Sequence, residues 1–361
     1  MVHSHQTIEN SQETLFWADL IRAIVVFGVV LVHVSADVIT EWSKFPRSWW
    51  WAANIYDSLA RGCVPAFVML SGALLLPKIE SYRDFFGKRF QRVMIPFVAW
   101  TVFYLLWKKH FYEPDLGFFE ALIRAANNKV HFHLWFLYVI VGLYMITPVF
   151  RVLMAHMSRR HIFYFLILCF FVASFFPFSE KLIQVFANTK IRFSFPIEPV
   201  QGFIGYFVLG HFIRQSDTKK FVPAVIVMWV TSLLICAMGS YFLSSHFHSF
   251  QSLLYDNMAP NVVFYTATFF IIVKHAGPVI ERHLNSGLRN LITNFSKASF
   301  GIYLIHPIIL EALAVGRWGF KLKGDVLHPF YMIPITTAVI YLLSFFVILL
   351  IQKIPYLRKI T

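Results

Sequence analysis

Apolar residues run along this chain in blocks about as long as a bilayer is thick, and the polar residues collect between them. A helix needs about 20 predominantly apolar residues to cross a membrane. Such blocks lie at about 15–38, 58–77, 93–111, 134–154, 162–178, 199–215, 221–243, 259–276, 298–316 and 331–352. The pattern predicts an all-α, polytopic membrane protein of about ten transmembrane helices. The fifth and sixth blocks are the shortest. No repeat of fixed period is visible, and no gap between blocks has room for a soluble domain. The predicted organisation is a tail over 1–14, one membrane domain over 15–352 and a second tail over 353–361.

Composition narrows the class further. Of 361 residues, 58% are apolar and only 14% are charged, and the mean hydropathy is +0.63. A soluble fold needs more polar material to cover its core, with about 25% charged residues usual. The net charge is +14. Cations placed between apolar blocks read as basic loops facing anionic lipid rather than as a nucleic-acid surface. Their excess in alternate loops predicts that both termini face the cytoplasm. Before the first block, residues 1–14 contain no Lys or Arg, and the block itself carries Asp19 and Arg22. It reads as a retained first helix, not as a cleaved leader. Cys63, Cys169 and Cys236 lie far apart in apolar blocks, a pattern of small buried hydrophobes rather than of metal ligands.

The first block holds the most informative chemistry. Asp19, Arg22, His33 and Asp37 interrupt it. At about 100° per residue all four fall within a stripe of roughly 60°. Ionisable groups at membrane depth must be paired or face a cavity. Asp19 and Arg22, three apart, are within salt-bridge reach. His33 and Asp37, four apart, could pair, with the carboxylate on one ring nitrogen and the other nitrogen free to accept a proton. Arg22 and His33 are separated by about 16 Å along a helix rising 1.5 Å per residue. They read as two stations of one polar path, or as helix ties; the spacing leaves both open.

These residues resemble the opening of the membrane acyltransferase 3 family: Asp19-Leu20-Ile21-Arg22, with His33 eleven residues after the arginine. Further pieces follow in the family's order. CVPAFVMLSGALLL at 63–76 carries its Ser71-Gly72 pair, and KRFQRVMIPF at 88–97 its Arg89-x-x-Arg92 segment. HFHLWFLYVIVGLYMITPV at 131–149 carries His133, Leu134, Trp135, Phe136 and Leu137. GYFVLGHFI at 205–213 and SFGIYLIHPIIL at 299–310 are similar to later helices. The resemblance implies a ten-helix bundle in the bacterial inner membrane that moves an acyl group from acetyl-coenzyme A to a glycan hydroxyl. Asp37 is outside the family pattern and rests on spacing alone.

The expected roles follow. His33 is the general base on the hydroxyl or a transient acyl carrier, and Arg22, with Asp19, structures the path or holds donor charge. Arg89, Arg92 and Lys88, with Lys78 and Arg83, form a basic rim suited to the phosphates of coenzyme A. His133, Trp135 and Tyr138 sit at the start of the fourth block, where aromatics line sugar sites or form an interfacial belt. His306 is followed by Pro307, which frees backbone carbonyls able to hold it. Glu311, one turn on, is a partner for His306 or lines the acceptor path. Arg61, placed near the outer end of the second block, would pair with Asp37 or steady an anionic acceptor. The expected partners are membrane lipid, a lipid-linked or polymeric glycan and acyl-coenzyme A, with no metal and no nucleic acid. A transporter or flippase for a glycan or small anion is the rival reading, since buried charges and helix-breaking prolines serve substrate paths too.

Overall fold

The computed structural model describes residues 15–187, Thr189, Ile191 and 202–361; the 1–14 tail and the first residues of the sixth block lie outside the described residues. Their secondary structure is helical: α1 Phe16–Ile39, α2 Arg47–Ala60, α3 Cys63–Leu75, α4 Tyr82–Arg89, α5 Ile95–Phe111, α6 Phe118–Ala126 and α7 Trp135–His156. There follow α8 Arg159–Phe170, α9 Phe176–Ala187, α10 Ile204–Gln215, α11 Val222–His246, α12 Pro260–His283, α13 Ser286–Val315 and α14 Pro329–Gln352. Among the described residues nine helical segments are long and apolar enough to cross a membrane, where the sequence pattern gave ten. The shortfall is α10, whose 12 residues rise only about 18 Å.

Two segments differ from their apolar blocks for identifiable reasons. The second crossing spans Arg47–Leu75 rather than 58–77. Its first half, α2, was hidden because Asn54, Asp57 and Ser58 lower its hydropathy, yet all three turn into the protein and are buried. Arg61 therefore lies between the two halves of a crossing, not at its end. The third crossing begins at Tyr82 and passes through a π-helical turn at Phe90–Met94. Arg89, the last residue of α4, and Arg92, inside the π-helical turn, are thus helical residues rather than loop residues.

α1 and α13 form the centre: α1 packs along α2, α3, α12, α13 and α14. The tightest contact joins α3 to α10 through reciprocal glycines. A Cβ on Gly72 would stand 1.7 Å from the Phe207 carbonyl oxygen, and one on Gly210 1.9 Å from that of Met69. Small residues of this kind let membrane helices approach backbone to backbone. Peripheral crossings leave Val98, Val102 and Leu106 of α5 and Ile226, Val227 and Leu234 of α11 exposed, as a lipid-facing surface should.

Candidate functional site

The polar stripe of α1 meets two separate surroundings. At its start, Arg22 donates to Asp19 at 2.9 Å, and Ser296 of α13 donates to the same carboxylate oxygen at 2.6 Å. This is a tie between the two central helices. At the far end Asp37 does not hold His33. It pairs with Lys323 at 3.3 Å, in the 316–328 connection. Partial burial pulls the Lys323 ammonium down, and Asp37 and Asp325 more than offset this, so it sits above its ordinary value.

His33 is half-buried and makes no hydrogen bond among the described residues. Its ring stacks on His306 of α13, centroids 5.4 Å apart, and takes the edge of Phe132 at 4.7 Å. His133 completes a group of three imidazoles, 5.6 Å from His306. His33, His133, Arg61, Cys63, Trp135 and Tyr303 line a cavity of about 170 Å³. That volume holds a few waters or one short acyl group beside a hydroxyl.

Backbone chemistry sets the ring of His306. Pro307 has no N–H, so the Tyr303 carbonyl four residues back lacks its helical donor. His306 Nδ1 lies 2.7 Å from that oxygen and 3.2 Å from the Ile302 carbonyl. Carbonyls only accept, which assigns the proton of the neutral ring to Nδ1 and a lone pair to Nε2. That Nε2 is buried and has no partner among the described residues. His133 Nε2 is in the same condition. His133 is held otherwise: its carbonyl accepts from the Tyr303 hydroxyl, and its Nδ1 lies 3.0 Å from Nδ1 of His131.

Glu311 belongs to this group through His131 rather than through His306. One carboxylate oxygen is 2.9 Å from His131 Nε2; the other accepts from Trp107 Nε1 at 3.0 Å and the Tyr112 hydroxyl at 3.2 Å. Arg61 likewise has a partner that the block boundaries concealed. Its guanidinium forms an ion pair with Asp57, one turn earlier, and stacks on the Tyr255 ring at 4.6 Å. Asp57 also accepts from Ser35 of α1 at 3.2 Å, so the pair fixes the cavity wall. Two ionisable residues four apart in an apolar setting were a visible signal for this pair.

The basic segment forms a second cluster near the start of α1. Glu80 lies 2.9 Å from Lys88, 3.3 Å from Arg89 and 2.9 Å from Arg151 of α7. The Arg89 and Arg151 guanidinia both lie over the Phe85 ring, at 4.4 and 4.5 Å. Partial burial would raise the Glu80 carboxyl. Hydrogen bonds from Lys88 and Arg151, with the Arg89 charge, outweigh that and hold it at about 2. Three cations on one anion leave the region positive. Arg92, on the exposed side of the π-helical turn, has no ion-pair partner among the described residues. Tyr144 of α7 lies within electrostatic range of Arg89, Arg22 and Arg92, which puts Arg22 at the edge of this cluster.

Of the residues singled out in the sequence, His33, His133, His306, Trp135 and Arg61 come together, with Glu311 joined through His131. Asp19, Arg22, Lys88, Arg89 and Arg92 lie toward the start of α1, and Asp37 stands apart on Lys323. His131, not singled out in the sequence, is the link between Glu311 and His133.

A family model described as an acyltransferase domain matches residues 15–352. Among curated proteins, the chain is 21% identical over 316 residues to a probable poly-beta-1,6-N-acetyl-D-glucosamine export protein of Staphylococcus epidermidis, covering 81% of this chain and 80% of that one. It is 22% identical over 305 residues to a protein of the same description from Staphylococcus aureus strain MSSA476, covering 81% of each. No solved structure matches.

Proposed function

Because the chain belongs to the acyltransferase 3 family and is a multi-pass membrane acyltransferase, we propose that it transfers an acetyl or other short acyl group from acyl-coenzyme A to a hydroxyl of a surface polysaccharide or its lipid-linked precursor. The observation that carries this reading is the half-buried His33 on a cavity wall, without a hydrogen-bond partner among the described residues and stacked on His306. A lone pair held there is free either to accept the hydroxyl proton or to take the acyl group. The acceptor class is supported by the polysaccharide in the names of the relatives, which points to an amino-sugar polymer.

The donor's phosphates would sit on the positive cluster. Arg89 and Arg151, stacked on Phe85, and the unpaired Arg92 present guanidinium forks that suit phosphate oxygens. In this reading that face is cytoplasmic, the membrane is the bacterial inner membrane, and both termini lie on the cytoplasmic side. Arg22, tied to Asp19, keeps the start of α1 against α13 beneath the donor.

The test uses purified protein, labelled acetyl-coenzyme A and a β-1,6-linked N-acetylglucosamine oligomer, with ester formation read by mass. His33→Ala is expected to lower transfer by about 10²–10⁴-fold, the usual contribution of a positioned acid–base group, while the protein stays folded. Undiminished transfer in that variant overturns the role of His33. The word export in the relatives' names favours a second reading, glycan translocation. Proteoliposomes that move the oligomer across the bilayer without acylating it would establish that reading instead.

A further inference from the structure

We infer that Glu311, His131 and His133 form a single proton-accepting chain, with His133 the catalytic base for the acceptor hydroxyl and His131 and Glu311 its positioning residues. This rests on the acyl-transfer reading and gives the general base to His133, which leaves to His33 the acyl-carrier role of the two open to it. The chain is contiguous: Glu311 to His131 Nε2 at 2.9 Å, then His131 Nδ1 to His133 Nδ1 at 3.0 Å. A carboxylate only accepts, so His131 Nε2 carries a proton. With His131 neutral, its Nδ1 accepts, and the proton between the rings belongs to His133 Nδ1. The remaining nitrogen, His133 Nε2, is then a lone pair. It is the atom that has no partner, on a residue 1% exposed that lines the cavity.

Here an orphaned acceptor ends a chain whose far end is anchored by three donors on one carboxylate. When the hydroxyl oxygen bonds to the acyl carbon, its proton moves to His133 Nε2. The Nδ1 proton of His133 passes to His131, and the positive charge comes to rest on His131 beside Glu311. His133 Nε2 now carries a hydrogen. Overall, thioester and hydroxyl give ester and thiol, so the proton held by the chain is returned to the departing sulfur and the chain resets.

The groups facing this chain are few. His131 meets Tyr104 at 4.3 Å. His133 meets Tyr104, Tyr303, His306 and His131, with His33 and Arg61 on the same cavity wall. Among the described residues Glu311 is the carboxylate in contact with the rings, and it balances the charge developed on them.

The test is the rate of transfer against pH for the full-length purified protein, with the same donor and oligomer. A carboxylate favours the protonated chain, so its removal leaves the chain basic to lower pH but weaker as a base. Glu311→Gln is expected to lower kcat by about 10²-fold, to shift the acid limb of the profile to lower pH by about one unit, and to leave both KM values near the parent's. Glu311→Asp should restore part of the rate and return the limb. His131→Gln keeps a donor toward Glu311 but cannot relay a proton, and should lose the same factor with an unchanged melting temperature. A folded Glu311→Gln with the parental acid limb, or a His131→Gln with parental kcat, overturns the inference. Absence of transfer by the parent protein overturns the acyl-transfer reading itself and is thereby distinguished.

Discussion

The two polar clusters of this protein are built on opposite principles. Around Glu80, three cations meet one carboxylate and the bonds are made on the protein's own terms. Around His33, the groups are imidazoles, and two ring nitrogens are buried with no partner among the described residues. A buried hydrogen-bonding group left unmet destabilises by about 1–3 kcal/mol, and one of these two belongs to His133, which lines a cavity able to bring it a partner. The first cluster offers a field of positive charge, which attracts and holds an anion. The second offers lone pairs, which do chemistry. A polar group at membrane depth therefore says little until its partners are counted.

The comparison presumes one rigid frame, and the largest effect should come from disturbing it. Gly210→Ala places a Cβ against the Met69 backbone and is expected to prevent stable accumulation, measured by fluorescence-detected size exclusion. Gly142→Ala, with open space around it, should behave as the parent. Next is His306→Asn, which keeps a donor for the Tyr303 carbonyl and deletes Nε2. Transfer should fall by about 10²–10⁴-fold with little change in melting temperature; a large loss of stability instead would make the imidazole cluster structural, like the other one. Glu80→Gln should do the reverse, lowering the melting temperature by several degrees while leaving turnover at saturating donor closer to the parent than any imidazole substitution. Its carboxyl is depressed from 4.5 to about 2, so the stability it contributes is present above the ordinary carboxylate range and is lost as pH falls toward 2. Thermal scans against pH should show that loss in the parent and not in Glu80→Gln. The smallest effect is expected for Asp37→Asn, which breaks a partly exposed pair with Lys323 and should change stability by about 1 kcal/mol or less.

What the sequence made legible follows from what its patterns measure. Hydropathy finds lipid-facing and fully apolar helices, so α1 and α14 were bounded to within two residues and α11 to within three. It misses a helix whose polar residues turn inward, as Asn54, Asp57 and Ser58 do in α2, and one too short to span, as α10 is. Spacing on one helix places Asp19 beside Arg22 correctly, because that pair is local. It misassigned Asp37, because Lys323, nearly 300 residues away, is nearer in space than His33's ring. The link from Glu311 through His131 to His133 joins residues 180 apart, and no period or motif within one chain segment carries that information. The motif pieces at Arg89 and Arg92 were recognisable, but a π-helical turn has no apolar signature of its own.

Pro307 has a consequence beyond the helix it sits in. A residue with an N–H at this position would reclaim the Tyr303 carbonyl for the helix, and the imidazole one step before it would lose its strongest acceptor. Freed to turn over, that ring would face its neighbours with hydrogen in some molecules and bare nitrogen in others. The proline thus acts as a tautomer selector, and Pro307→Ala could silence the protein while every side chain around the chamber stayed in place.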